Sequence, residues 1–130
     1  MKIFGLGTDI VNIKRVQLAL KNNKKNFTKR IFSKNEINYC EKRKNSASYY
    51  AKRYAAKEAL SKALGTGISK GINFNDIEIL NNKFGKPYIK LKGSTATYLK
   101  KKIKRNKYFI YLSLSEDLPW AQATVIISYN

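Results

Sequence analysis

The chain has 130 residues with 27 Lys+Arg, 8 Asp+Glu and no histidine, which gives a formal net charge of +19 at pH 7. This length favours one domain over residues 1–130, and the 43% of apolar residues supply enough material for a core. The absence of histidine excludes Ser-His-Asp and Cys-His catalysis and histidine-containing zinc sites, so a general base must be a carboxylate, a lysine or water.

The first predicted element is a buried strand over residues 3–11. Gly5 and Gly7 suggest a close backbone approach or an irregular strand end, and Asp9 then stands alone among apolar residues. The segment lacks the long apolar region of a signal peptide and the roughly 18 apolar residues of a membrane span. We therefore expect a cytoplasmic protein without a membrane partner.

A helix with a basic outer face is predicted next. Apolar residues three or four apart indicate that it begins near Asn12 and frays over residues 21–26. Lys14 lies on its basic face. A short helical turn over residues 27–32 follows.

Two more helices are predicted before residue 65. Ser33 and Glu36 form a capping-box pattern that opens a short helix toward Cys40. Cys40 is the only cysteine, which excludes an internal disulfide and is typical of a reducing compartment. The longest helix covers residues 46–64, which contain recurring alanines and no Gly or Pro, and Gly65 stands where a helix C-cap would.

Two hairpins separated by a helix are predicted in the second half of the chain. Residues 72–79 and 88–91 form the first, a helix runs from Ser94 as N-cap to about residue 104, and residues 108–115 and 121–128 form the second. The order β-α-α-α-ββ-α-ββ predicts a single-domain α+β fold, because strands and helices do not alternate as in a doubly wound sheet.

Two acids occupy positions where a charge is costly. Asp9 ends an apolar strand, and Glu58 lies within the alanine-rich helix. If both reach one pocket, Mg²⁺ is a natural counter-charge, because proteins hold it with one or two carboxylates plus substrate phosphates. Alternatively, Asp9 caps the first helix and Glu58 pairs only with Lys62, four residues later.

Basic residues surround Glu58. Arg53 and Lys57 are four residues apart, as are Glu58 and Lys62, so the two pairs line adjoining stripes of one helix. Cations beside a metal ligand are typical of a site that binds a pyrophosphate, more than of a solvated helix surface. Gly65 opens a Gly-Thr-Gly segment that would let the backbone approach a ligand, although a plain helix stop explains it equally well.

Other nucleotide and nucleic-acid motifs are incomplete. Gly5 and Gly7 are followed by Ile10 where a dinucleotide fingerprint needs its third glycine, and no Gly-rich run precedes a GK[ST] sequence. The aromatic residues form no RNA-binding cluster. The charge nevertheless keeps a small RNA- or ribosome-associated protein as the alternative to an enzyme.

Several motifs together resemble one enzyme family. They are RYAAKEALSKALGTGI over residues 53–68, GLGTDIV over 5–11, RIFSKNE over 30–36, DIEI over 76–79, GKP over 85–87, and the closing LSLS and VII strands. In this combination the chain resembles the holo-[acyl-carrier-protein] synthases, the small single-domain 4′-phosphopantetheinyl transferases, over almost its whole length.

The resemblance implies a reaction of lipid and fatty acid biosynthesis. Such enzymes transfer the 4′-phosphopantetheine arm of coenzyme A to a serine of acyl carrier protein, with Mg²⁺, and release adenosine 3′,5′-bisphosphate. Asp9 and Glu58 would then hold the metal and Lys62 would contact phosphate. Arg53, Lys57 and the run Lys42-Arg43-Lys44 would be candidates for the remaining phosphates of coenzyme A, with Gly65 beside them.

The resemblance also implies partners and a proton route. The basic helix, with Lys14 and Arg15, would steer the acidic carrier protein, and the enzyme would be a homotrimer with sites between subunits. Without histidine, the serine proton must pass to Glu58 or to a water bound to Mg²⁺. Several relatives carry histidine where this chain has Glu116, which would be an auxiliary acid or a turn residue.

Overall fold

The computed structural model describes all residues from Met1 to Asn130, and it is of the predicted α+β class. Five strands and four helices follow one another in the predicted order. Their bounds are β1 Lys2–Asn12, α1 Ile13–Ile31, α2 Lys34–Glu41, α3 Ser46–Ala63, β2 Ile77–Asn81, β3 Pro87–Leu91, α4 Gly93–Ile103, β4 Phe109–Asp117 and β5 Trp120–Tyr129. A 3₁₀ turn, Phe74–Asp76, precedes β2.

Two separate antiparallel sheets form the β layer. The larger sheet has the order β1-β5-β4, and β2 pairs with β3 in the predicted hairpin. On the inner face of β5, residues such as Ala123 and Val125 are fully buried. On the opposite face, Leu6, Ile10 and Tyr111 are exposed. One face of the larger sheet is therefore covered by the protein's own core and the other is not.

Helix α3 packs against β1 through small residues. Its buried alanines recur every four residues, at positions 47, 51, 55, 59 and 63. A Cβ atom added at Gly5 would lie 1.9 Å from the carbonyl oxygen of Ala63, and one at Gly7 would lie 1.9 Å from that of Ala59. The predicted close backbone approach therefore occurs at both glycines, and the predicted irregularity occurs near the start of the strand, where the register of β1 against β5 shifts between Ile3 and Gly5.

Helix α1 differs from its prediction at its centre and end. The side chain of Asn12 accepts a hydrogen bond from the backbone N–H of Lys14, which makes Asn12 the N-cap, so Asp9 does not cap this helix. The predicted fraying is confined to Asn23, whose φ of −157° and ψ of 75° interrupt the helix. The turn predicted over residues 27–32 continues α1 as its last turns, up to Ile31.

The caps of the other helices were predicted with mixed success. Ser33 and Glu36 form the predicted reciprocal capping box of α2. Gly65, with a φ of +83°, follows α3 in the left-handed conformation that favours glycine. Ser94 is not the N-cap of α4, because Lys92 occupies that position. The carboxylate of Asp76 instead accepts hydrogen bonds from this end of the helix, including the backbone N–H of Thr95.

No helix of the chain combines the length and the hydropathy that a membrane span requires.

Candidate functional site

The close packing of β1 on α3 brings an acid and a lysine from distant parts of the sequence together. The ammonium nitrogen of Lys62 lies 2.9 Å from Oδ1 of Asp9 and 3.0 Å from the backbone oxygen of Thr8. The interpretation in which Lys62 pairs only with Glu58 is therefore wrong. The Lys62 side chain remains 52% exposed and that of Asp9 17%, so the pair opens to solvent through the lysine.

Glu58 lies beside this pair in a less polar setting. Burial raises the pKa of Glu58, and the negative charge of Asp9 raises it further, while the nearby Tyr54 hydroxyl and the charge of Lys62 oppose the shift. The pKa of Tyr54 is raised in turn by burial and by Glu58. A half-buried carboxylate with a second carboxylate beside it is a place that attracts a cation.

The donor set of this site fits a hard divalent cation. Asp9 and Glu58 supply carboxylate oxygens, which are the ligands that Mg²⁺ prefers. No group of three or more Asp, Glu, His or Cys side chains that could hold a metal occurs in the chain. A cation held here would thus take its remaining ligands from water or from a bound molecule. We call this group of Asp9, Glu58 and Lys62 the acidic site.

Lys57 lies in the core, and its complete burial contradicts its predicted role in binding coenzyme A. Its side chain is completely buried, with the ammonium 2.7 Å from Oε1 of Glu36 and 2.8 Å and 3.0 Å from the backbone oxygens of Ile31 and Phe74. These three acceptors use all three N–H donors of the lysine. Lys57 therefore ties α3 to the end of α1, to α2 and to the 3₁₀ turn, and it does so from inside the core.

A second basic group lies where α2, α3 and the β2–β3 hairpin meet. The guanidinium carbons of Arg43 and Arg53 lie 3.5 Å and 4.2 Å from the ring centroid of Tyr39. Arg53 is only 2% exposed, and it donates a hydrogen bond of 2.6 Å to the side-chain oxygen of Asn81. Two guanidinium groups are thereby held on one aromatic ring.

These arginines line an open cavity of about 490 Å³, which we call the arginine cavity. Lys83 contributes a third cation, and no Asp or Glu lines it. Arg53 takes part in none of the four ion pairs of the chain, and its buried Nε atom has no hydrogen-bond partner. A buried cation without a carboxylate partner, as Arg53 is, is costly, so this cavity is suited to an anionic ligand.

A smaller cavity of about 310 Å³ adjoins it, and we call it the Glu116 cavity. The two share four lining residues, Tyr39, Arg53, Asn81 and Gly85. Glu116 lines the smaller one as part of β4, so it is not a turn residue. Its Oε1 atom lies 3.8 Å from the ammonium of Lys52.

The remaining predicted residues lie outside these two cavities. Gly65 is exposed, and its N–H bonds the carbonyl of Lys62, as in a helix stop. Lys14 and Arg15 are exposed in the first turn of α1. Arg15 also lines a mainly apolar cavity of about 180 Å³ together with Tyr54, whose hydroxyl acts on the pKa of Glu58. The charges of Arg15 and Glu58 both act on the pKa of Tyr54, so the start of α1 lies near the acidic site.

Sequence reasoning missed Tyr39, Tyr54 and Lys52. Each lies on a helix surface in a region rich in aromatic and basic residues, where the sequence does not distinguish core, surface and site. Of the three, only Tyr54 could have been predicted from the sequence, because it precedes Glu58 by four residues and so lies on the same face of the helix.

Comparisons with known proteins agree on one family. Residues 5–123 match the 4′-phosphopantetheinyl transferase superfamily. The chain is 47% identical over 126 residues to the holo-[acyl-carrier-protein] synthase of Bartonella bacilliformis, covering 96% of this chain and 95% of that protein.

Solved structures of holo-[acyl-carrier-protein] synthases also resemble this chain closely in fold. The holo-[acyl-carrier-protein] synthase of Neisseria meningitidis has a TM-score of 0.87 at 32% identity, covering 98% of this chain and 100% of that one. The Helicobacter pylori enzyme, solved in complex with coenzyme A, has a TM-score of 0.81 at 34% identity, covering 95% and 99%.

Proposed function

Because the chain belongs to the holo-[acyl-carrier-protein] synthases of the 4′-phosphopantetheinyl transferase superfamily, we propose that it transfers the phosphopantetheine arm of coenzyme A to a serine of an acyl carrier protein. The nucleotide product is adenosine 3′,5′-bisphosphate, and the holo carrier protein serves fatty acid and lipid biosynthesis. The observation that carries the proposal is the meeting of Asp9, Glu58 and Lys62 where β1 packs on α3.

The acidic site would hold Mg²⁺ through Asp9 and Glu58. The two carboxylates match its ligand preference, and a cation would offset both the burial and the charge of Asp9, which raise the pKa of Glu58. When bound, Mg²⁺ supplies positive charge against the pyrophosphate oxygens.

Lys62 and Glu58 would perform the remaining chemistry. In the transfer, the serine Oγ forms a bond to the phosphorus that carries the pantetheine arm, and the bond from that phosphorus to the nucleotide's oxygen breaks. The exposed ammonium of Lys62 can contact the phosphoryl oxygens, where negative charge must be stabilised. The serine proton passes to Glu58, whose raised pKa makes it the better acceptor, or to a water held at the site.

The arginine cavity would receive the phosphates at the nucleotide end of coenzyme A. Arg43 and Arg53 are held in fixed positions on Tyr39 and have no carboxylate partner, as a phosphate site requires. Gly65, which lies outside this cavity, would approach another part of the ligand through its exposed backbone.

The carrier protein would dock on the first turns of α1. Lys14 and Arg15 are exposed there, and the net charge of +19 steers an acidic protein toward the enzyme. Arg15 connects this surface to the acidic site through Tyr54.

We propose further that the enzyme is a homotrimer. The uncovered face of the β1-β5-β4 sheet supports self-association, because Leu6, Ile10 and Tyr111 are more than half exposed on it. Light scattering on the purified protein tests the mass of the assembly. A monomeric mass at working concentrations would contradict the proposal.

The reaction is tested by mass spectrometry of an acyl carrier protein incubated with enzyme, coenzyme A and Mg²⁺. We expect the carrier to gain the mass of one phosphopantetheine group with the wild-type enzyme and with Asp117→Asn, a surface control. We expect no gain with Glu58→Gln, although that variant remains folded by circular dichroism. Failure of the wild-type enzyme with every carrier protein tried would contradict the proposed function.

A further inference from the structure

Glu116 places a carboxylate in a cavity that otherwise carries only positive charge. Lys52 and Arg53 also line the Glu116 cavity. Of these two residues, only Arg53 lines the arginine cavity as well. Since the two cavities are contiguous, one ligand can occupy both. The negative charge of Glu116 would therefore repel an anionic group that the arginines bind.

The carboxylate of Glu116 is only loosely engaged. Its separation of 3.8 Å from the Lys52 ammonium is too long for a hydrogen bond, and its side chain is 29% exposed. Lys52 also lies 4.4 Å from the ring centroid of Tyr49. Glu116 therefore keeps free acceptor positions, and it lowers the positive charge that Lys52 offers to a ligand.

Carboxylates and arginines favour different groups on a ribose that is bound beside them. A carboxylate repels a phosphate but accepts hydrogen bonds from ribose hydroxyls, whereas arginines accommodate a phosphate on the ribose. We propose that Glu116 is a specificity-determining residue that weakens the preference of this enzyme for a ribose 3′-phosphate over a free 3′-hydroxyl. This inference rests on the proposed function, in which the arginine cavity receives the nucleotide end of coenzyme A.

The test compares two nucleotides and two donors in matched variants. Calorimetry measures the binding of adenosine 3′,5′-bisphosphate and of adenosine 5′-phosphate to the wild-type enzyme, Glu116→Gln and Asp117→Asn. Removing the Glu116 charge should tighten the bisphosphate by about two- to fivefold, the range of a partly exposed charge pair, without tightening the monophosphate. The ratio of kcat/KM for coenzyme A to that for dephospho-coenzyme A should rise by a similar factor.

Asp117→Asn removes the same charge one residue further along, from a residue that does not line the cavity, and should change neither ratio. Equal tightening of both nucleotides by Glu116→Gln, or an equal effect of Asp117→Asn, would show a general field effect and overturn the proposal. Unchanged ratios would overturn it too. If these results overturn the role of Glu116 but the wild-type enzyme still transfers from coenzyme A, the proposed function stands. If none of the three proteins transfers or binds a nucleotide, the proposed function and the role of Glu116 are both refuted.

Discussion

Substitution of Gly7 by alanine tests whether the distance between β1 and α3 controls the acidic site. The backbone of Gly7 lies outside the left-handed region, so alanine introduces no torsional strain. Its Cβ atom, however, would lie 1.9 Å from the carbonyl oxygen of Ala59 and 2.7 Å from the backbone nitrogen of Ala63. Both are helix backbone atoms, which cannot rotate away as a side chain can.

The required displacement follows from these distances. Ordinary van der Waals contact begins near 3.4 Å, so strand and helix must separate locally by about 1.5 Å. Overpacking of this kind costs about 1–3 kcal/mol, and we expect the upper end because the clash is with backbone. For a chain of this size such a loss lowers Tm by about 10 °C.

The same displacement should impair transfer beyond the loss of stability. Asp9 is two residues from Gly7 on β1, while Glu58 and Lys62 belong to α3, so the separation acts directly on the acidic site. A misplacement of about 1 Å can reduce a rate by about 100-fold, and we expect a loss of that order in kcat/KM at a temperature where the variant is folded.

Thermal unfolding and the mass-gain assay measure the two effects. Thr8→Ala is the matched control, because Thr8 is exposed and contributes only its backbone oxygen to Lys62. If Gly7→Ala unfolds at the wild-type temperature and transfers at the wild-type rate, the reasoning is refuted. A lower Tm with full activity per folded molecule would limit the close approach to a role in stability.

Three further predictions address the core, the pH dependence and the docking surface. Lys57→Met and Glu36→Gln should each destabilise the fold by about 3–5 kcal/mol in urea unfolding, since each leaves a buried partner unpaired, and the double variant should cost clearly less than the sum. Although burial alone would raise the pKa of Glu78, the Ser33 hydroxyl and nearby lysines hold it below its usual value. The stabilisation it gives is therefore present above the unfolded-state pKa and lost as pH falls through the folded-state value, so the destabilisation by Glu78→Gln measured at pH 7 should shrink in acid. Reversing the charges of Lys14 and Arg15 should raise KM for the carrier protein with little change in KM for coenzyme A, and the opposite pattern in steady-state kinetics would place the nucleotide at α1.

The sequence predicted those features that depend on neighbours along the chain. The alanine spacing indicated α3, the Ser33–Glu36 pattern indicated the cap of α2, and Gly65 indicated the end of α3. Each of these rests on contacts within a few residues, where propensity and capping chemistry decide the outcome.

Features that depend on distant partners were not predictable in this way. Lys57 has the same helical neighbours as an exposed lysine, and only Glu36, 21 residues away, explains why it points inward. Lys62 has Glu58 one turn away, yet it bonds Asp9 on β1. The cap of α4 was likewise misassigned, because Asp76 reaches it from outside the helix.

The interruption of α1 at Asn23 limits the area that the proposed docking surface on α1 can offer to a carrier protein. Only the ten residues from Ile13 to Asn22 form a straight helix before the break, which amounts to about 15 Å at the helical rise per residue. A stable protein complex buries about 800 Å² on each partner, more than one face of so short a helix supplies. A carrier protein docked on α1 as we propose would therefore make a brief encounter rather than a long-lived complex, which would suit the release of each modified protein before the next is bound.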